Sequence, residues 1–172
     1  MKIPRNLILL SLLAISMPLN AANSALQVTR SKDGFLFVGP KGEESFSFDV
    51  AGKTIRTADD DGRLFAEIDG ILIQLTSYPI AELPEGDALT EHQKYETDYL
   101  KKHTIISNSS VCSGLAIPHR EWKATLSGVS TSTYLTIKLK RSILIVVVAV
   151  TDKDQAVIAR QKLASICSKL KA

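Results

Sequence analysis

From residue 26 onward, apolar and polar residues alternate over short stretches separated by turn-forming residues. Leu26 and Val28, then Phe35 and Phe37, are apolar at every second position, with Lys32–Asp33–Gly34 between them. Such a pattern around an Asp-Gly pair predicts a β-hairpin. Gly39–Pro40–Lys41–Gly42 interrupts it, and Phe46, Phe48 and Val50 then alternate with Ser45, Ser47 and Asp49. Asp59–Asp60–Asp61–Gly62 and Asp69–Gly70 read as turns on either side of residues 64–68, ahead of the β-branched run 71–76. The first half is therefore expected to be an antiparallel meander.

A Pro- and Gly-containing loop over 78–86 precedes a predicted helix over 87–102. Asp87 suits its N-cap, and Lys101–Lys102–His103 suit the negative end of its dipole. Ala88, His92, Tyr95 and Tyr99 follow helical spacing and are expected to face the sheet. Further strands are predicted over 105–112, 116–126, 133–139 and 143–150. Every residue of 143–150 is apolar. Eight residues are too few to cross a bilayer, and β-branching favours a strand over a helix. A strand apolar on both sides needs cover on both faces of its sheet, from helices on each or from a helix on one and strands on the other. A closing helix over 152–171 buries Ala156, Ala159, Leu163, Ile166, Cys167 and Leu170, with Thr151 and Asp154 resembling a capping box. The expected fold class is α+β, one domain over 23–172: an antiparallel β-sheet of seven or more strands packed by a mid-chain helix and a C-terminal helix.

This order resembles the PsbP/Mog1-like α/β/α sandwich. The local echoes are Phe46–Ser47–Phe48–Asp49–Val50 before Gly52–Lys53, and Tyr134–Leu135–Thr136–Ile137 leading into the buried strand and final helix. The resemblance covers most of the chain beyond the first 22 residues, at the level of layout. It implies a binding or assembly module and no shared active site.

Residues 1–22 carry an address. Lys2 and Arg5 precede an apolar run through Leu7–Ile8–Leu9–Leu10 to Ile15, Pro18 breaks it, and Ala21 and Ala22 follow. A cationic end, a short apolar segment and a small-residue exit are the parts of a cleaved secretory signal peptide. No stable membrane insertion is expected after cleavage, and the expected location is periplasmic or secreted. Removing Lys2 and Arg5 with the signal takes the formal charge from +3 to +1, which gives no reason to expect nucleic acid as a partner. Charge is nevertheless uneven along the chain. Residues 43–98 hold 14 acids and 4 bases, and residues 99–172 hold 3 acids and 12 bases, or −10 and +9. Either the fold interleaves the two stretches, or it has an acidic and a basic face. Cys112 and Cys167 are the only cysteines, and in an exported chain they are expected to pair as a disulfide.

Several chemistries are approached and missed. Gly52–Lys53–Thr54 ends like a phosphate-binding loop but lacks the glycine five positions earlier, where Ser47 stands. Asp59 and Asp61 would fit a calcium loop whose closing acid is absent. Gly128–Val129–Ser130–Thr131–Ser132 fails the nucleophile-elbow pattern. His92 and His103 are eleven residues apart, about 16 Å along a helix, too far to share a metal. His92 reads as a hydrogen-bonded core residue. The densest cluster is His119–Arg120–Glu121–Trp122–Lys123. On a strand His119, Glu121 and Lys123 share one face and Arg120 and Trp122 the other. Trp122 is either buried there or, with Arg120 and His119, a candidate partner-binding anchor.

No catalytic residues, cofactor or metal ligands are assigned. The expected role is an exported cell-envelope binding or accessory protein with a protein partner, such as an assembly factor or immunity-type inhibitor. The alternative is an envelope hydrolase whose active site is assembled only in the fold. The exported protein is expected to begin at Ala22 or Asn23. Intact-mass measurement of secreted material checks this, and retention of Met1 to Ala21 would refute it.

Overall fold

The computed structural model describes residues 26–40, 44–60, 63–100, 104–126, 130–151 and 155–172. The predicted signal segment 1–22, the predicted helix end at 101–103, Asp61–Gly62, Gly128–Val129 and Asp154 lie outside the described residues.

Two meanders build the main sheet. One consists of β4 (Ile55–Asp60), β5 (Arg63–Ile68) and β6 (Ile71–Pro79). The other consists of β7 (Thr104–Asn108), β8 (His119–Leu126), β9 (Ser130–Lys138) and β10 (Ser142–Val150). They join where β6 pairs antiparallel with β10, so the order is β4-β5-β6-β10-β9-β8-β7. The expected seven-stranded antiparallel sheet is thus present. β1 (Gln27–Arg30), β2 (Gly34–Val38) and β3 (Ser47–Ala51) form a separate three-stranded sheet.

β10 sits at the centre, and all nine of its residues are buried. Its even positions Leu144, Val146, Val148 and Val150 enter one core, and its odd positions Ile143, Ile145 and Val147 enter another. The first core is closed by Phe35, Phe37, Phe48 and Val50 of the small sheet and by Leu163 and Ile166 of the C-terminal helix, α2 (Ala156–Lys169). Phe37 and Phe48 stack there at 5.1 Å. The second core is closed by Ala88, Leu89 and Leu100 of the mid-chain helix, α1 (Ala88–Leu100). Cover on both faces therefore comes from a helix on one side and from strands plus a helix on the other.

Local chemistry explains the joints. Asp87 caps α1, its Oδ2 accepting the Thr90 N–H at 3.1 Å and the Thr90 hydroxyl at 2.6 Å. Asp69 (φ 50°) and Gly70 (φ 82°) both adopt left-handed backbone, the requirement of a tight hairpin between β5 and β6. The Asp69 carboxylate accepts the N–H groups of Thr54 and Lys53 and the Thr54 hydroxyl at 3.0–3.2 Å. These bonds, the Thr54 N–H foremost, hold its pKa below the usual carboxylate value. The loop-like Gly52–Lys53–Thr54 thus turns its amides onto a carboxylate of its own chain. A Cβ at Gly34 would lie 2.1 Å from the Val50 carbonyl oxygen, so glycine is what lets β2 approach β3 there.

α2 is described from Ala156, with Gln155 at its N-cap and no side-chain cap bond, and the Thr151–Asp154 pair reaches outside the described residues. One expectation is corrected. The sheet-facing residues of α1 are Ala88, Leu89, His92, Glu96 and Leu100, whereas Tyr95 and Tyr99 are exposed. The sheet below already presents the stacked rings of Trp122 and Tyr134, and the slimmer side of the helix packs onto them. After α2 the chain returns to β3, where Ser47 and Lys171 exchange N–H···O bonds of 2.8 and 2.9 Å. No described helix is long and apolar enough to cross a membrane.

Because both faces of β10 are covered, Leu144→Ala and Ile143→Ala are each expected to cost about 2–5 kcal/mol in denaturant unfolding. A change below about 0.5 kcal/mol at either position, the range of surface substitutions, would contradict two-sided burial.

Candidate functional site

Alternation along β8 divides the charged cluster between the two faces of the sheet. Trp122 has no exposed surface and stacks on Tyr134 with ring centroids 3.8 Å apart. Of the two placements left open for Trp122, the structure has the buried one, with its ring forming the floor beneath α1. Arg120 is exposed, and its guanidinium donates to the Thr90 hydroxyl at the start of α1, at 3.0 Å. His119 is half-buried on the opposite face, with Nδ1 2.8 Å from the Ile117 carbonyl oxygen.

Glu121, on the face of His119, organises the loop after β7. Its Oε1 accepts the Ser109 hydroxyl and, at 2.8 Å, the Val111 N–H; its Oε2 accepts the Cys112 N–H at 2.8 Å. One carboxylate thus satisfies three donors and closes the turn that presents Cys112 to α2. Cys112 and Cys167 lie at disulfide-bonding distance, with Cα atoms 5.5 Å apart. Such a pair is compatible with an extracellular or periplasmic location.

Beside this bridge is a cleft of about 410 Å³, within the range of small-molecule sites. Lys123 of β8 and Thr131 and Thr133 of β9 line it from the sheet, Ser110 from the loop, and Val157 and Arg160 from α2. No acidic residue lines it among the described residues, and none of those residues forms an ion pair with Lys123 or Arg160. Lys123 belongs to the cluster singled out from sequence. The threonines and Arg160 were not legible as partners, because three segments distant along the chain bring them together.

A second polar group lies sealed under α1. His92 and Glu96, one helical turn apart, are both buried, with Nε2 and Oε1 at 3.7 Å. His92 Nδ1 and the Thr136 hydroxyl of β9 are hydrogen-bonded at 3.3 Å, and the Tyr78 ring lies 6.3 Å away. The adjoining cavity, bounded by Tyr78, Leu83, Pro84, Glu91 and Tyr95, measures about 20 Å³, room for a single water. Burial pushes the His92 pKa down to about 4 and the Glu96 pKa up to about 7. Tyr134 is pushed well above its usual value, by burial first and then by the nearby Glu96 carboxyl. Near pH 6 the fold therefore holds neutral imidazole beside neutral carboxylic acid. Sequence reading placed His92 in the core but missed Glu96, since a carboxylate is an unfavourable choice for a buried stripe unless it gives up its charge.

The charged stretches interleave. Asp87 of the acidic stretch is influenced by Arg120 and Lys138 of the basic one, after its stronger bonds from Thr90. Glu44 accepts the Arg141 N–H at 2.7 Å and lies 3.9 Å from its guanidinium. Lys162 of α2 lies near Asp69 and donates to the Ala51 carbonyl at 2.8 Å. Each of these contacts joins an acidic segment to a basic one.

The sealed pair predicts opposite pH limbs. With its pKa lowered from 6.5 to about 4, His92 contributes stability that is complete above about 6.5 and lost as pH falls toward 4. With its pKa raised from 4.5 to about 7, Glu96 contributes stability that is complete below about 4.5 and lost as pH rises toward 7. In the native protein the two slopes cancel between them. Relative to native protein, Glu96→Gln should gain stability from pH 4.5 to 7 and His92→Gln should lose it, each by about 2–3 kcal/mol. Urea unfolding across that range checks this, and parallel curves for the two variants would refute it.

No protein-family model matches the chain, and no curated protein matches it as a relative, so the functional reading rests on the geometry of the cleft and of the sealed pair.

Proposed function

We propose that the chain is an exported binding or accessory module of the cell envelope, acting through the cleft beside the Cys112–Cys167 pair rather than through catalysis. The carrying observation is the lining of that cleft by two cations, hydroxyls and an aliphatic wall, groups that recognise a ligand without transforming it. His92 and Glu96, both strongly shifted, face a cavity that admits only a water. The hydroxyl beside the cleft that touches a carboxylate is Ser109, and Glu121 also holds two backbone N–H groups, which suits loop closure better than proton abstraction. Export is supported by the N-terminal pattern of residues 1–22 and by a cysteine pair at bonding distance. The layout of sheet and two helices is also the one that resembles the PsbP/Mog1-like sandwich, whose members serve as binding or assembly modules.

A photoreactive residue replacing Thr133, with the native signal retained, should cross-link to an envelope molecule in living cells. The same residue at Thr57, exposed on β4, should not. Equal labelling from both positions would refute the cleft as the binding surface. Hydrolysis of ester, peptide or glycoside substrates that is abolished by His119→Ala or Ser110→Ala would refute the non-catalytic reading.

A further inference from the structure

We propose that this cleft binds the phosphate group of an organic phosphate, an inference that rests on the reading of the cleft as a binding surface and adds the chemical class of its ligand. The donors converging there exceed what a carboxylate can use. Lys123 offers an ammonium, Arg160 a forked guanidinium, and Ser110, Thr131 and Thr133 hydroxyls from the loop and the sheet. A carboxylate presents two oxygens, whereas a phosphate monoester presents three terminal oxygens and about −1.5 to −2 of charge near neutral pH. Guanidinium and phosphate are also matched in planar, bidentate geometry.

Among the described residues, charge around the cleft is arranged in the same sense. Glu121, the nearest carboxylate along β8, is engaged by three donors of the 109–112 loop. The first turn of α2, which forms one wall, carries no acidic side chain. Its N-terminal end adds a partial positive charge to that of the two cations.

An organic body on the phosphate is indicated by the rim. Val157, on the α2 wall, is 65% exposed. Ile105 is 73% exposed and lies in one cross-strand row with Thr125 and Thr131, on the same sheet face as Lys123. Two aliphatic side chains beside a polar cleft give contact to a carbon chain while the phosphate lies among the donors. Such a phosphate monoester reaches the envelope either as a soluble ester or as the headgroup of phosphatidic acid. The recognition chemistry is the same for both.

The test uses the exported, oxidised protein with glycerol 3-phosphate in equilibrium dialysis and with flotation on phosphatidylcholine vesicles that contain phosphatidic acid, or phosphatidylglycerol in its place, or neither. Lys123→Gln and Arg160→Gln are compared with native protein and with Arg120→Gln, which alters a cation on the other face. Saturable binding of glycerol 3-phosphate, weakened at least tenfold by either cleft variant and unchanged by Arg120→Gln, supports the proposal with a soluble ligand. Flotation with phosphatidic acid but not with phosphatidylglycerol or phosphatidylcholine alone, lost in both cleft variants and kept by Arg120→Gln, supports it with a lipid source, and equal flotation on phosphatidylglycerol overturns it. Binding of neither probe overturns it, as does binding that the cleft variants leave intact or that Arg120→Gln weakens equally. In those cases cross-linking from Thr133 still decides whether the cleft binds a ligand of another class. Thermal unfolding within about 2 °C of native identifies variants that keep the fold, as expected for exposed Arg160 and half-buried Lys123.

Discussion

The structure depends on one constraint: β10 is apolar at every position from Ile143 to Val150 and must be dry on both faces. Removing apolar surface from water contributes roughly 25 cal/mol per Å², and a strand gains this on a given face only where another layer covers it. The main sheet cannot supply that layer, since its other strands lie beside β10. The chain therefore builds two. α1 crosses one face, and the N-terminal hairpin with β3 covers the other together with α2. The two ends of the described chain meet in that second layer, joined at Ser47 and Lys171.

The two layers differ chemically. Beneath the small sheet and α2 the core is phenylalanine, leucine, isoleucine and valine. Beneath α1 the sheet places Gln74, Thr76 and Thr136 among its apolar residues, and the helix answers with His92 and Glu96. A charged pair there would lose much of its hydration. Between about pH 4.5 and 6.5 the pKa shifts give another arrangement, in which the proton carried by histidine in the unfolded chain resides on the glutamic acid in the folded one. Proton count is conserved on folding, and the charge disappears from the interior. The helix packs as a mostly neutral surface while keeping a polar contact with Thr136 that fixes its rotation on the sheet.

Much of this was legible from sequence, for reasons that can be named. The uninterrupted apolar run became β10, the alternation of Leu135 and Ile137 became β9, and Asp87 and the Asp69–Gly70 pair did the capping and turning their chemistry suits. What failed was a rotation. Ala88 and His92 are common to a stripe continuing through Tyr95 and Tyr99 and to one continuing through Glu96 and Leu100; residues 95 and 96 differ by about 100° around the helix. Apolar content favoured the tyrosines, but Trp122 and Tyr134 already occupy the sheet surface. The position of Trp122 was a choice between two faces of a strand that spacing alone leaves open. The cleft left no motif, because Lys123, Thr133 and Arg160 become neighbours only after β8, β9 and α2 have packed.

The cleft and the cysteine pair are physically linked. One wall continues from the loop that carries Cys112 and the other belongs to the helix that carries Cys167. Without a crosslink, α2 is held by packing, by the Lys162–Ala51 hydrogen bond and by the Ser47–Lys171 pairing that follows it, and the loop is held by Glu121. A bridge across 55 residues constrains the unfolded chain by about 4 kcal/mol in the loop-entropy treatment. It also fixes the spacing between the two walls. A site whose cations stand on separate elements gains most from such a fixed spacing, because each cation alone binds a phosphate weakly in water and the pair acts jointly only at one separation. Under the proposal of export, an oxidising compartment is the condition under which this crosslink forms and the spacing of the two walls is fixed.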